Sequence, residues 1–222
     1  MKDSRDIPLR SEVVRKAIHL LSLSIPVGYI FVSQRTALTI LLPLMVLFVL
    51  VDILMHRVHL VRQLYLQLFG FLLRPHELET RRLLLNGASY VFISACLCIW
   101  LFPKIIAVTA FAILILADIA SALVGKAWGH HRFLDKTAEG SAAFLVVACL
   151  TVLALGLWLG APWSYFVAGL AGAVTGTLAE AASIRLRMDD NLSIPLSIGA
   201  IMWLVGWVAE RWWQCPFLQL LS

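Results

Sequence analysis

The chain of 222 residues is 61% hydrophobic and 14% charged, with a formal net charge of +5 and a mean hydropathy of +0.89. Soluble domains carry about 25% charged residues, so an ordinary water-soluble globule is excluded and lipid must solvate much of the surface. The basic balance lacks the interleaving of basic and aromatic residues that marks a nucleic-acid binder, so no nucleic-acid partner is expected, whereas contact with an anionic lipid bilayer is.

A spanning helix takes about 20 mostly apolar residues. Seven segments meet that requirement: 17–32, 36–54, 84–102, 105–124, 141–159, 163–183 and 194–213. Backbone in lipid must satisfy its own hydrogen bonds, so these are predicted as helices, and no barrel-like alternation is present. The first segment follows a basic, polar stretch ending at Lys16 and has no small-x-small cleavage site, so it is expected to stay as an anchor. Between the second and third, residues 55–83 mix Arg and Gln with Leu, Phe and Tyr. That run is too polar to span and is predicted as an amphipathic helix on the inner leaflet, ended by Pro75, with His56 and His59 on its polar face. Cys96, Cys98, Cys149 and Cys215 show neither metal-ligand spacing nor a disulfide framework. Trp203, Trp207, Trp212 and Trp213 read as packing and an outer-interface belt.

The expected fold class is therefore all-α: a polytopic membrane helical bundle of about seven transmembrane helices plus one interfacial helix, forming a single integral membrane domain over 1–222. With the N-terminus in the cytoplasm, all but Arg35, Lys104 and Arg211 of the 18 Lys and Arg residues fall at inner ends. The positive-inside rule thus predicts an N-in, C-out arrangement.

Three polar stretches stand out, all at predicted inner helix ends. Glu12, Arg15, Lys16 and His19 fall within an arc of about 100° on a helix. They read either as a snorkelling cap or as an inward stripe that holds a phosphate or a carboxylate. Asp118 lies inside an apolar run, where an acid marks a functional site by default. Asp118, Ala122 and Gly125 share a helix face, and Lys126, Arg132 and Lys136 follow with positive charge. Thr137 to Ser141 opens the next helix, whose free backbone N–H groups favour an anion. Together these suggest a phosphate site with an acid nearby, against the alternative of an ordinary basic loop. Glu180, Asp189, Asp190 and Asn191, followed by Pro195, offer hard oxygen ligands suited to magnesium or calcium, although a helix cap would account for one of them. His130–His131 read as solvated, and Asp52 is expected to pair with a nearby Arg.

In this order the stretches resemble the family of CTP-dependent lipid kinases, which includes dolichol and polyprenol kinases, phytol and farnesol kinases and a CTP-dependent diacylglycerol kinase. The matching residues are E-x-x-R-K-x-x-H at Glu12 to His19, then Asp118, Ser121, Gly125 and Gly129 (Ser121 standing where Ala is common). Lys136, Thr137, Glu139 and Gly140 follow as K-T-x-E-G. Ala179–Glu180 and the D-D-N-x-x-I-P run from Asp189 to Pro195 complete the set. The family is also distantly similar to CTP:phosphatidate cytidylyltransferases. The resemblance implies transfer of the CTP γ-phosphate to the hydroxyl of a membrane lipid alcohol, with Mg2+ or Ca2+, at a site facing the cytoplasm. Nucleotide binding would fall to Arg15, Lys16, His19, Gly125, Lys126, Gly129, Lys136, Thr137, Glu139, Gly140 and Asn191. Asp118, Lys136, Glu180 and Asp190 would be catalytic, with Asp190 or Glu180 accepting the hydroxyl proton. Asp118, Asp189 and Asp190 would hold the metal. Diacylglycerol, a polyprenol and a short isoprenoid alcohol such as phytol or geranylgeraniol all remain open as acceptors. The competing readings are cytidylyl transfer to a phospholipid, a small membrane transporter and a non-catalytic scaffold.

Overall fold

A computed structural model describes residues 9–69, 85–186 and 188–221. Pro75, the 70–83 part of the expected interfacial segment and the Glu12 side chain lie outside the described residues. In chain order the elements are α1 (Leu9–Leu21), α2 (Ser24–Phe31), α3 (Gln34–Arg57), α4 (His59–Phe69), α5 (Gly87–Leu101) and α6 (Lys104–Trp128). A hairpin, β1 (Arg132–Phe133) and β2 (Lys136–Thr137), precedes α7 (Ala138–Trp158), α8 (Trp163–Ala181), α9 (Ser183–Leu186) and α10 (Asp190–Trp212).

The helix α6 is the axis. Between Ile105 and Ala117 its sequence is apolar on every face except at Thr109, and a helix of that kind is stable only when surrounded. It packs on α1, α2, α5, α7, α8 and α10, and Ile105, Ile106, Ile113, Leu114 and Ile115 are fully buried. Lipid supplies no hydrophobic drive between helices, so close approach of small residues does the packing. Gly169, Gly172 and Gly176 of α8 provide it: a Cβ at Gly169 would run into Val152 of α7, and at Gly176 into Ile198 of α10 at 2.7 Å. On the outside, Leu21, Phe31, Trp100, Leu157 and Trp158 are exposed, while Ser89, Ser94, Thr109 and Glu180 are enclosed. This inverts the soluble pattern.

Four helices, α3, α6, α7 and α10, are long and apolar enough to cross a membrane, and α5 is apolar but shorter. The chain is a helical, multi-pass membrane protein. The expected first segment does not form one continuous helix. Pro26 has no N–H to give the Ser22 carbonyl, which accepts from Ile25 at 3.0 Å instead, and the Ser22 and Leu23 amides bond three residues back to His19 and Leu20. The result is a break between α1 and α2. Of residues 55–83, the first three finish α3, where His56 Nδ1 meets the Asp52 carbonyl oxygen at 2.8 Å. His56 thus belongs to α3 and not to the interfacial helix, while α4 carries exposed Leu60 and Leu64. The hairpin was not legible as strand; two residues on each side pair antiparallel around Leu134, which sits at φ +52°.

The two ends of the bundle differ. One gathers the acids, lysines and α1 polar face described below. The other pairs Trp163 with Trp213, ring centroids 5.0 Å apart, and places Lys104 over Tyr29 at 5.4 Å. There Ser164 Oγ donates to the Cys215 carbonyl at 2.6 Å.

Packing at α10 makes a direct prediction. A Cβ on Gly199 would overlap the buried Phe102 ring, whereas nothing lies within 4 Å of one added at Gly28. Gly199→Ala should lower stability by about 1–3 kcal/mol through overpacking, read as a lower melting temperature in detergent. Gly28→Ala, in α2, should be neutral or stabilising.

Candidate functional site

The site is assembled from two buried ion-pair groups at the charged end. On α1, Lys16 is buried and donates to the Asp118 carboxylate of α6, and His19 Nε2 lies 3.8 Å from the same oxygen. The Glu12–His19 and Asp118–Gly140 stretches therefore meet across the bundle. One turn beyond Asp118, Ser121 Oγ donates to Glu180 Oε1 of α8 at 3.0 Å. Lys136 lies 3.2 Å from that oxygen and 3.7 Å from Asp190 Oδ2 at the start of α10. Glu180 is 1% exposed, and its Oε2 has no hydrogen-bond partner among the described residues.

The hairpin delivers Lys136. Asp135 ties its tip to α8 and α9: its N–H donates to the Ala181 carbonyl at 2.9 Å, and its carboxylate accepts from Arg185 N and Nε at 3.0 and 3.2 Å. Burial works against the Lys136 ammonium, but Asp190, Glu180 and Asp118 together outweigh it and hold its pKa above the ordinary lysine value. The pairing is thus complete at neutral pH and is lost only as pH climbs through that raised value.

The glycines serve the same junction. Cβ atoms placed on Gly125 and Gly140 would lie 2.9 and 3.0 Å from Thr137 Oγ1, and one on Gly129 would meet the same side chain. The close approach they permit is that of α6 to α7 around Thr137, which caps α7 by accepting from Gly140 N at 3.2 Å. Glu139 lies at the edge, its Oε1 2.7 Å from His131 Nδ1 and also accepting from the His131 N–H, and Lys126 is exposed near the end of α6. Asp189 caps α10, accepting from Asn191 N at 3.0 Å and Asn191 Nδ2 at 2.8 Å. Of the three residues expected to hold a metal, Asp118 is engaged by Lys16, Asp190 faces Lys136 and Asp189 serves the cap. Among the described residues no group of three or more His, Cys, Asp or Glu is arranged to hold a metal ion. Two of these acids thus face lysines, and the third faces Asn191.

A cavity of about 570 Å3 opens beside this network. Arg15, Lys16, His19, Asp118, Asp190 and Asn191 form its polar end, and Leu47, Phe48, Val51, Val91 and Phe92 form its apolar wall. Lys136 and Glu180 stand behind Asp190, outside the lining, as do the three glycines and Thr137. A second polar group borders the cavity. Asp52, fully buried, accepts from Asn86 N at 2.9 Å, Asn86 Nδ2 at 2.6 Å and Ser89 Oγ at 2.6 Å, and Asn86 Nδ2 also donates to the Tyr65 hydroxyl at 2.8 Å. Asp52 thus accepts from both amide groups of Asn86 and from the Ser89 hydroxyl. Asn86 was missed. Its signal was an Asn three residues before Ser89 at the head of an apolar run, the pattern of a helix N-cap.

No family model matches this chain, and no solved structure does. An uncharacterized protein of Rickettsia prowazekii (strain Madrid E), RP860, is 32% identical over 186 residues, covering 84% of this chain and 90% of that protein. This chain belongs to that protein's family.

Breaking one buried pair should be costly. Lys16→Met leaves the Asp118 carboxylate without its cation and should destabilise by about 3–5 kcal/mol. Adding Asp118→Asn should restore part of the loss, and a double-mutant cycle by thermal unfolding in detergent checks it.

Proposed function

We propose that this chain is a CTP-dependent lipid-alcohol kinase that transfers the nucleotide's γ-phosphate to a hydroxyl at the membrane surface. The observation that carries the reading is the cavity: one end is built from charged side chains of α1, α6 and α10, and the other from apolar side chains of α3 and α5. That division matches a molecule with a polar head and an apolar tail. The ordered sequence motifs supply the nucleotide side of the reading. Seven spans, formed by α1 with α2, and by α3, α5, α6, α7, α8 and α10, would set the site at the cytoplasmic face, N-in and C-out. The distribution of Lys and Arg supports this orientation.

In the proposed reaction the acceptor hydroxyl lies at the polar end. Its O–H proton passes to Asp190, which lines the cavity where Glu180 does not, and its oxygen forms the new bond to the γ-phosphorus. The bond from that phosphorus to the bridging oxygen breaks and CDP leaves. Such transfer depends mainly on positioning and on charge stabilisation. Arg15, Lys16 and Lys136 provide the positive charge, and Glu180, with Ser121, holds Lys136 in place. A divalent cation neutralises nucleotide phosphates in this chemistry. Asp118 and Asp190, which line the cavity, would hold such a cation together with the nucleotide phosphates.

Purified protein incubated with γ-labelled CTP, magnesium and a panel of lipid alcohols should yield labelled lipid. Lys136→Ala should lower the rate by at least about 100-fold. Pyrophosphate release with phosphatidate and no labelled lipid would replace kinase by cytidylyltransferase. Absence of label with every acceptor would sink the kinase.

A further inference from the structure

The cavity also carries information about which lipid enters and from where. Its wall between α3 and α5 is closed by Phe48 and Phe92, whose rings stack with centroids 4.7 Å apart and planes 28° apart. Next to them Val91 is buried. On the side of α4, Tyr65 lines the cavity and accepts from Asn86, which bonds Asp52 in turn. The floor is the Lys16–Asp118 pair. One side differs. Ile18 of α1 and Leu47 of α3, both in the lining, are 46% and 54% exposed. They are the most exposed of the large apolar lining residues. The two helices they belong to find their main neighbours elsewhere, α1 and α2 on α6 and α3 on α5 and α4. The rim between Ile18 and Leu47 is therefore the cavity's side opening, and it lies among side chains that face lipid.

We propose that this opening admits a lipid alcohol with a single chain, and that the Phe48–Phe92 stack excludes a second chain. The inference rests on the kinase reading for the reaction but concerns the shape of its acceptor pocket. At about 570 Å3 the cavity falls in the range that encloses a single ligand of moderate size. One isoprenoid chain fills that space with its hydroxyl against Asp190. A diacylglycerol needs room for two chains and two ester groups, and the second chain would have to part Phe48 from Phe92. The apolar wall selects by volume, and the charged end fixes the hydroxyl. Leu47 and Phe92 thus become specificity-determining residues of opposite effect, the first controlling entry and the second the width of the pocket.

Two measurements test this. With γ-labelled CTP, wild-type protein should use geranylgeraniol with a kcat/KM at least about tenfold above that for dioleoylglycerol, and Phe92→Ala should narrow the ratio by raising the diacylglycerol rate. Without nucleotide, native mass spectrometry should find one geranylgeraniol retained per wild-type chain, and none in Leu47→Trp or Ile18→Trp variants whose melting temperatures match wild type. Equal use of both lipids by the wild type, or retention undiminished in both tryptophan variants, overturns the proposal. Retention that the tryptophans abolish, with no phosphate transfer to any acceptor, keeps the pocket and removes the kinase reading.

Discussion

The structure depends on the need to pair charges that are taken out of water. A buried ammonium or carboxylate costs several kcal/mol unless an opposite charge and hydrogen bonds meet it. Lys16 meets Asp118, and Lys136 meets both Glu180 and Asp190. Each pair joins elements far apart in sequence: α1 to α6, and the hairpin to α8 and α10. The pairs therefore decide which helix ends lie together. Apolar packing along α6 sets how closely the helices approach, but grease against grease discriminates little between alternative registers, whereas a misplaced buried charge is penalised at once.

This constraint also explains the division between the two halves of each helix. Away from the charged end, contact is made by glycines against branched or aromatic side chains, as at Gly169 with Val152 and Gly172 with Ile198 and Met202. Towards the charged end the same closeness is used differently. Gly125, Gly129 and Gly140 surround Thr137, so that α6, the hairpin and α7 meet at one threonine. The cavity survives beside this dense junction because α3, lying on α5 and α4, leaves a space in front of α1.

Much of this was readable in the residues. Long apolar runs marked the helices α3, α6, α7 and α10, since lipid imposes length and composition together. Asp118 and Glu180 stood out because an acid in an apolar run needs a reason. What could not be read was partnership. The Lys16 stripe was open to a phosphate or a carboxylate and Lys136 was read as part of a phosphate site, and only three-dimensional placement shows which carboxylates of the chain itself each one meets. The glycines near Gly125 were read as allowing close approach of backbone or ligand, and the neighbour that comes close is Thr137, because a sequence shows that space is needed and not what fills it. The α1–α2 break was missed because hydropathy averages over Ser22 and Pro26, although one absent N–H is enough to turn the chain. The two-residue strands of the hairpin are too short to leave any periodic trace.

The anchoring of that hairpin limits how the protein can diverge. Its base is clamped by Thr137 among the glycines, and its outer corner is tethered by Asp135 to Ala181 and Arg185. Lys136 sits between the two anchorages. An insertion or deletion anywhere from Asp135 to Thr137 would swing the ammonium away from Glu180 and Asp190, and on the other strand Phe133 and Arg132 pair with Lys136 and Thr137 and hold the same register. The distance in sequence from the lysine to the α7 cap is thus a dimension the fold cannot let drift.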